Sequence, residues 1–293
     1  MDDAEGASLK LGANIRAARE AANIGLRTFS AKLGVSPATM SAMENGKSGV
    51  SASRLFEIAR LLGQPLESFL LGSNMKAPPK PALVEPAAMQ WRVFEPLTFD
   101  PPLMAALEAF AEFGYHGSNM RDIAEKAGLS GPGIYHYYPS KQDMLIAIVD
   151  YTLNEITLRF RQAREEGTSA AHRFALLVEC NTLFHAYRPN LGFVVASELR
   201  SLAPEALTRN SKLRTRLRAM HDIEAEQATK DGDFACSNPR DASRAVLTMC
   251  SALPQWYRIG EKLTPEEVAT MYVNFALGLM RATVSIPQRR KRQ

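Results

Sequence analysis

Two stretches of this chain hold side chains that could do chemistry, and in both the chemistry is contact with a polyanion rather than turnover. Tyr135, His136 and Tyr137 stand close to Lys141 after the turn-forming Gly128, and Arg121 lies one short segment earlier. Phenol, imidazole and guanidinium groups hydrogen-bond to base edges, and an ammonium in a first helical turn meets phosphate beside free backbone amides. Upstream, Arg16, Arg19, Arg27, Lys32, Lys47 and Arg54 are spread through residues 10–72, where they can neutralise phosphates. No G-x-S-x-G, phosphate-binding glycine loop, metal-ligand cluster or supported Cys–His pair accompanies them, so neither a catalytic residue nor a metal is expected.

The elements that must position these groups read as helices. In residues 10–72, Leu11, Ile15, Ala18 and Ala22 follow helical spacing, and short helices are separated by glycines from Gly34 to Gly63. Phe29, Leu33, Met40 and Met43 point inward around a helix-turn-helix whose second helix starts at Ser36. Residues 73–99 carry Pro78, Pro79, Pro81, Pro86 and Pro96 and read as a semi-extended linker, with Trp91, Val93 and Phe94 packing onto a neighbouring domain.

From Leu103 onward helix signals return. Leu107, Phe110 and Ala111 belong to a first helix, Ser118 begins a second containing Ile123 and Ala124, and Ser130 to Lys141 holds a very short third. Ser140 caps a long helix through Met144, Ile148 and Leu153 toward Arg164. Pro204, Pro239 and Pro265 mark later helix starts, because a proline in a first turn forfeits no hydrogen bond. The fold class is all-α.

The last two helices, about 239–259 and 265–285, carry Val246, Met249, Leu253 and Trp256, then Val268, Tyr272, Phe275 and Leu279. Such apolar helices continue into a second copy of the chain or form an internal hairpin covered by the chain itself.

Composition bounds the rest. With 35 Lys and Arg against 31 Asp and Glu, global charge says little about partners. Cys180, Cys236 and Cys250 lack metal-ligand spacing and read as reduced thiols. The acidic start Met1-Asp2-Asp3 has no apolar segment behind it, and no stretch is apolar enough for a membrane span, so a cytoplasmic protein without membrane contact is expected.

Residues 10–72 resemble the phage-repressor and Cro-like (XRE) helix-turn-helix family through the run Glu44-Asn45-Gly46-Lys47 and the segment from Leu55 to Gly63. The resemblance implies a five-helix domain contacting DNA through Arg27, Ser36, Ala38, Thr39, Ser41, Asn45 and Lys47. Leu26, Pro37, Ala38 and Ala42 stand where that family carries polar readers, which leaves phosphate contact ahead of base reading.

Residues 100–147 resemble the tetracycline-repressor (TetR) family through Ala109 to Tyr115, Asp122 to Gly128 and Ile134 to Lys141. The resemblance implies operator contacts from Ser118, Arg121, Ser130, Gly131, Tyr135, His136, Tyr137 and Lys141, with Tyr138 as a buried aromatic. Gly131 and Gly133 replace polar residues of the family pattern and remove contacts. Acidic residues outnumber Arg121, Lys126 and Lys141 in this segment, so dimerisation and the first domain must add affinity.

By the same resemblance residues 148–285 form a ligand-binding and dimerisation domain, followed by a basic tail, 286–293. Phe160, Phe174, Leu177, Val178, Phe184, Tyr187 and Phe193 are its candidate pocket residues, each of which could equally be core. The segment from Leu191 to Glu205 is similar to regulators of lipid and steroid-ring catabolism that respond to CoA thioesters, so Arg188, Arg200 and Arg214 are candidates for CoA phosphates.

The expectation is thus a ligand-responsive repressor that binds double-stranded operator DNA as a homodimer and needs no cofactor, with a small acyl-CoA-like effector. The first domain is either an additional DNA clamp or a protein-interaction module. A helical enzyme is the third reading.

Overall fold

The computed structural model describes residues 2–22, 24–62, 69, 90–131, 133–260 and 262–286. The fold is all-α: among these residues the only extended pairing is an isolated bridge between Phe234 and Ala282. The chain divides into two compact units, one of residues 1–80 with 120–141 and one of residues 81–119 with 142–293.

The first unit opens with α1 (Asp2–Ala21), α2 (Leu26–Lys32), α3 (Pro37–Glu44) and α4 (Ala52–Leu62). Ser36 caps α3 by accepting the Thr39 amide at 3.0 Å, and Pro37 fills the first turn. Ile15, Phe29, Met40, Leu55 and Ile58 form the core with Phe69, whose carbonyl accepts a 2.8 Å hydrogen bond from Asn14. The expected fifth helix falls mainly on residues 63–68 and 70–72, outside the described residues. A Cβ on Gly12 would lie 2.4 Å from the Met43 carbonyl oxygen, so only glycine lets α1 approach α3 this closely. The same unit holds α6 (Met120–Lys126) and a 3₁₀ turn, Gly133–His136.

The second unit begins with residues 90–99, then α5 (Pro101–Gly117), α7 (Lys141–Glu166), α8 (Ala170–Tyr187), α9 (Pro189–Glu198), α10 (Pro204–Lys230), α11 (Pro239–Ser251) and α12 (Pro265–Leu279). Gly114 breaks α5 internally with φ 74°, a left-handed conformation that suits glycine. α8 is the central helix, packed by α10, α11 and α12, and Phe174, Val178, Val246, Leu253, Val268 and Tyr272 share its core cluster. The expected proline starts hold for α10, α11 and α12, and Thr264 with Glu267 closes a capping box on α12.

The last two helices are shorter than sequence periodicity predicts. α11 stops at Ser251 because Pro254, which lacks an amide donor, follows in a 3₁₀ turn at Leu253–Gln255. α12 stops at Leu279, and Arg281 turns the chain with φ 52° into the Phe234 bridge.

Candidate nucleic-acid interface and effector cavity

In the first helix-turn-helix, Arg27, Ser36, Ala38, Asn45 and Lys47 are exposed, and Thr39 and Ser41 are half-buried. Asn45 donates to the Ser41 carbonyl at 2.8 Å and closes the end of α3. Arg19, expected among the phosphate contacts, is instead buried: it donates to Glu44 at 2.6 and 2.9 Å and to the Ile24 carbonyl at 2.9 Å. That ion pair ties α1 to α3, so Arg19 holds the domain together. Arg16 is exposed beside Glu20 at 3.1 Å.

The second set of candidates is placed as follows. Ser118 is buried, with its hydroxyl 2.8 Å from the Gly114 carbonyl and 3.1 Å from that of Ala109, so this side chain serves the turn after α5. Ser130 caps the 3₁₀ turn by accepting the Gly133 amide at 3.1 Å. The expected short helix is a 3₁₀ turn of 4 residues, with Gly133 as its first residue and Gly131 just before it, both poor helix formers. Arg121, Gly131 and Tyr137 are exposed, Tyr135 and Lys141 half-buried, and Tyr138 buried. The His136 side chain lies outside the described residues.

Residues 90–99, the described end of the expected linker, belong to the second unit and pack within it. Trp91 is buried and its indole N–H donates to Glu166 at 2.9 Å, while Arg92 grips Glu166 and Glu179, each at 2.7 Å. Arg159 donates to the Trp91 and Val93 carbonyls at 2.8 and 2.9 Å and pairs with the buried Glu155 at 2.6 Å. Phe94 stacks on Tyr187, with ring centroids 4.7 Å apart. Val93, expected to pack, is exposed instead.

Helices α7 to α11 line a cavity of about 150 Å³ that opens to solvent. α7 lines it with Leu153, Ile156 and Phe160, α8 with Asn181, Phe184 and His185, and α10 with Arg214, Leu217 and Arg218. Of the expected pocket residues, Phe160 and Phe184 lie here. Phe174 and Val178 belong to the core cluster, Leu177 is fully buried away from the lining, and Phe193 is exposed. Tyr187 donates to Glu266 at 2.7 Å. Of the three candidate arginines only Arg214 reaches the cavity: Arg188 stands 3.6 Å from Glu155 and donates to the Glu95 carbonyl, and Arg200 is exposed.

Sequence reasoning missed Asn181, His185 and Arg218. A signal existed, since Asn181 and His185 are one turn apart on α8, and Arg218 is one turn from Arg214 on α10. Burial pulls the His185 imidazole down to about 4, so it lines the cavity as a neutral group at neutral pH. Cys180 and Cys250 are buried free thiols, and burial raises both above the usual thiol range.

On the α11–α12 side, Val246, Leu253, Val268 and Tyr272 are consumed by the chain's own core and Met249 is partly buried against it. Trp256, Phe275 and Leu279 are exposed, at 49%, 52% and 48%. The Trp256 indole donates to the Tyr272 hydroxyl at 3.2 Å, and Tyr272 is followed by Phe275 at a 6.1 Å ring separation.

Comparison with known proteins matches residues 103–148 to the family described as bacterial regulatory proteins, tetR family, and residues 167–280 to the tetracyclin repressor-like C-terminal domain. The chain is a TetR-family transcriptional regulator. A further model, described as helix-turn-helix, matches residues 15–69 of this TetR-family chain. It is 28% identical to the HTH-type transcriptional repressor KstR2 of Rhodococcus jostii, over 59% of this chain and 85% of that protein. It is 33% identical to the fatty acid metabolism regulator protein of Bacillus subtilis, over 33% of this chain and 50% of that one. The crystal structure of AibR in complex with isovaleryl coenzyme A and operator DNA shares the fold, with a TM-score of 0.55 and 19% identity over 62% of this chain and 97% of that one. These relatives are regulators of transcription, not enzymes. Among the described residues no helix is long and apolar enough to cross a membrane.

Proposed function

We propose that the protein is a cytoplasmic, ligand-responsive repressor that binds operator DNA as a homodimer and responds to an acyl-CoA-like effector of lipid or fatty-acid metabolism. The division of labour is an XRE-like domain (10–72), a proline-rich linker (73–99), a TetR-type DNA-binding domain (100–147), an effector and dimerisation domain (148–285) and a basic tail (286–293), which lies almost wholly outside the described residues.

The observation that carries this reading is α7. This helix of 26 residues starts at Lys141, within the DNA-binding segment, and its middle turns supply Leu153, Ile156 and Phe160 to the cavity. A ligand that moves those turns moves Lys141 with them, and only a ligand with different affinity for the two positions shifts their balance. The relatives fit the same chemistry: one is named a fatty acid metabolism regulator, and AibR was crystallised with isovaleryl coenzyme A and operator DNA. Trp256, Phe275 and Leu279 support a dimer face, since an exposed apolar patch of this kind usually meets a partner.

The test begins by selecting an operator from random-sequence DNA with the full-length protein. A dimer that binds a two-fold symmetric site and leaves it when an acyl-CoA is added is the expected result. A monomer in sedimentation, or DNA binding indifferent to every acyl-CoA, would overturn it. For the first domain a second reading stands beside the DNA clamp, because Pro37, Ala38 and Ala42 on α3 are poor base readers: it could dock on protein instead.

A further inference from the structure

The arginines of the second unit are, for the most part, committed. Arg209 on α10 meets Asp150 at 2.7 Å, Arg164 and Arg173 share the buried Glu224, and Arg240 meets Glu226 at 2.9 Å. Arg214 and Arg218 differ. They stand one turn apart on α10, flank Leu217 and line the cavity, whose lining contains no acidic residue. Among the described residues no carboxylate lies within ion-pair distance of either.

We propose that Arg214 and Arg218 form an anion clamp at the open side of the cavity, and that the effector is therefore an amphiphile with an apolar body and a carboxylate or phosphate head. This inference rests on the effector reading above and deepens it.

Burial orders the lining. Asn181 and His185 are buried, Arg214 is half-buried and Arg218 is exposed, so the cationic groups stand where the cavity opens and the neutral polar groups where it closes. Burial, and then the charge on Arg218, push the Arg214 guanidinium below its ordinary range. The two like charges one turn apart repel each other, and a bound anion offsets that repulsion. Two guanidinium forks one turn apart can share the oxygens of a carboxylate or phosphate in paired hydrogen bonds. Phe160, Phe184, Ile156 and Leu217 supply the apolar wall for the body of the ligand. His185 stays neutral near pH 7 and cannot compete for the anion; it suits an uncharged carbonyl or hydroxyl.

The experiment measures binding of decanoyl-CoA, decanoate and decan-1-ol to the full-length protein by calorimetry, alongside release of the selected operator. At least one anionic probe should bind ten-fold or more tighter than the alcohol, and its identity separates a phosphate from a carboxylate head. Arg214→Met with Arg218→Met should erase that preference, and Arg214→Lys with Arg218→Lys should keep part of it. The double Met variant should melt no lower than the parent, since it removes a repulsion; Arg218→Met alone provides an exposed-site variant should the double change misfold. Equal binding of alcohol and anions, no binding of any probe, or an undiminished preference in the folded Met variants would overturn the clamp. Tight anion binding without operator release would leave the clamp standing and sink the effector reading.

Discussion

Two histidines carry an acid sensitivity that follows from burial alone. His185 and His221 are both pulled down to about 4 by desolvation; for His221 the Leu217 and Leu177 carbonyls and the Asp222 charge oppose this without overcoming it. The unfolded chain takes up these protons near pH 6.5, whereas the folded chain resists them until about pH 4. Stability from this source is therefore intact above about pH 6.5 and is lost as the pH falls toward 4. At pH 5 each histidine should cost about 2 kcal/mol relative to neutral pH. Denaturant melts at pH 7.5 and 5.0 measure this, and His221→Gln should flatten the dependence; a parent protein equally stable at both would refute it. At this scale the sequence was informative where a residue's role is local. Tyr138 read as buried and is buried, whereas Arg19 read as a phosphate contact because its partner Glu44 lies 25 residues away, beyond any local pattern.

At the scale of elements, the segment from Gln90 to Phe99, expected as the end of a linker, is part of the second unit. Arg159 on α7 spends its guanidinium on Glu155 and on the carbonyls of Trp91 and Val93, with the two charged side chains only 3% and 1% exposed. Removing one partner of so buried a pair leaves an uncompensated charge, at a cost of about 3–5 kcal/mol. Arg159→Met should lower stability by that order and speed hydrogen exchange across residues 90–99. Arg92→Met should cost less, because Glu166 is half-open to solvent and water screens its pairing. Exchange at 90–99 no faster in Arg159→Met than in the parent would mean that the stacking of Phe94 on Tyr187 holds the segment unaided. Helix starts were legible here, since a proline or capping residue announces them; ends were less so, and Pro254 cut α11 short of the predicted boundary. The cavity was only partly legible, because its wall is assembled from several helices and Phe160 and Phe174 carry the same apolar signal in sequence while only Phe160 lines it.

At the scale of the whole molecule, the question is why a chain of formal net charge only +4 carries two helix-turn-helix segments. The TetR-type segment is poor in base, and two of its candidate contacts, Ser118 and Ser130, direct their hydroxyls to backbone. The first unit presents exposed Arg27, Lys32 and Lys47 while spending Arg19 internally. If these exposed cations neutralise phosphates, each contact contributes about 0.9 to the slope of log affinity against log salt. In a dimer every substitution removes two copies of a contact. Arg27→Ala with Lys47→Ala in the full-length protein should then reduce the slope by about 3.6, with a shorter footprint and little change in sequence preference, since phosphate contacts position without specifying. If residues 73–99 act as the proposed linker, the first domain stays at high effective concentration beside the operator, and even a weak contact then has a large effect. A protein-docking role gives the opposite pattern: slope and footprint stay as in the parent, while the same substitutions change assembly measured by sedimentation. The salt slope thus separates a second hold on DNA from a hold on protein, without requiring either domain to fold alone.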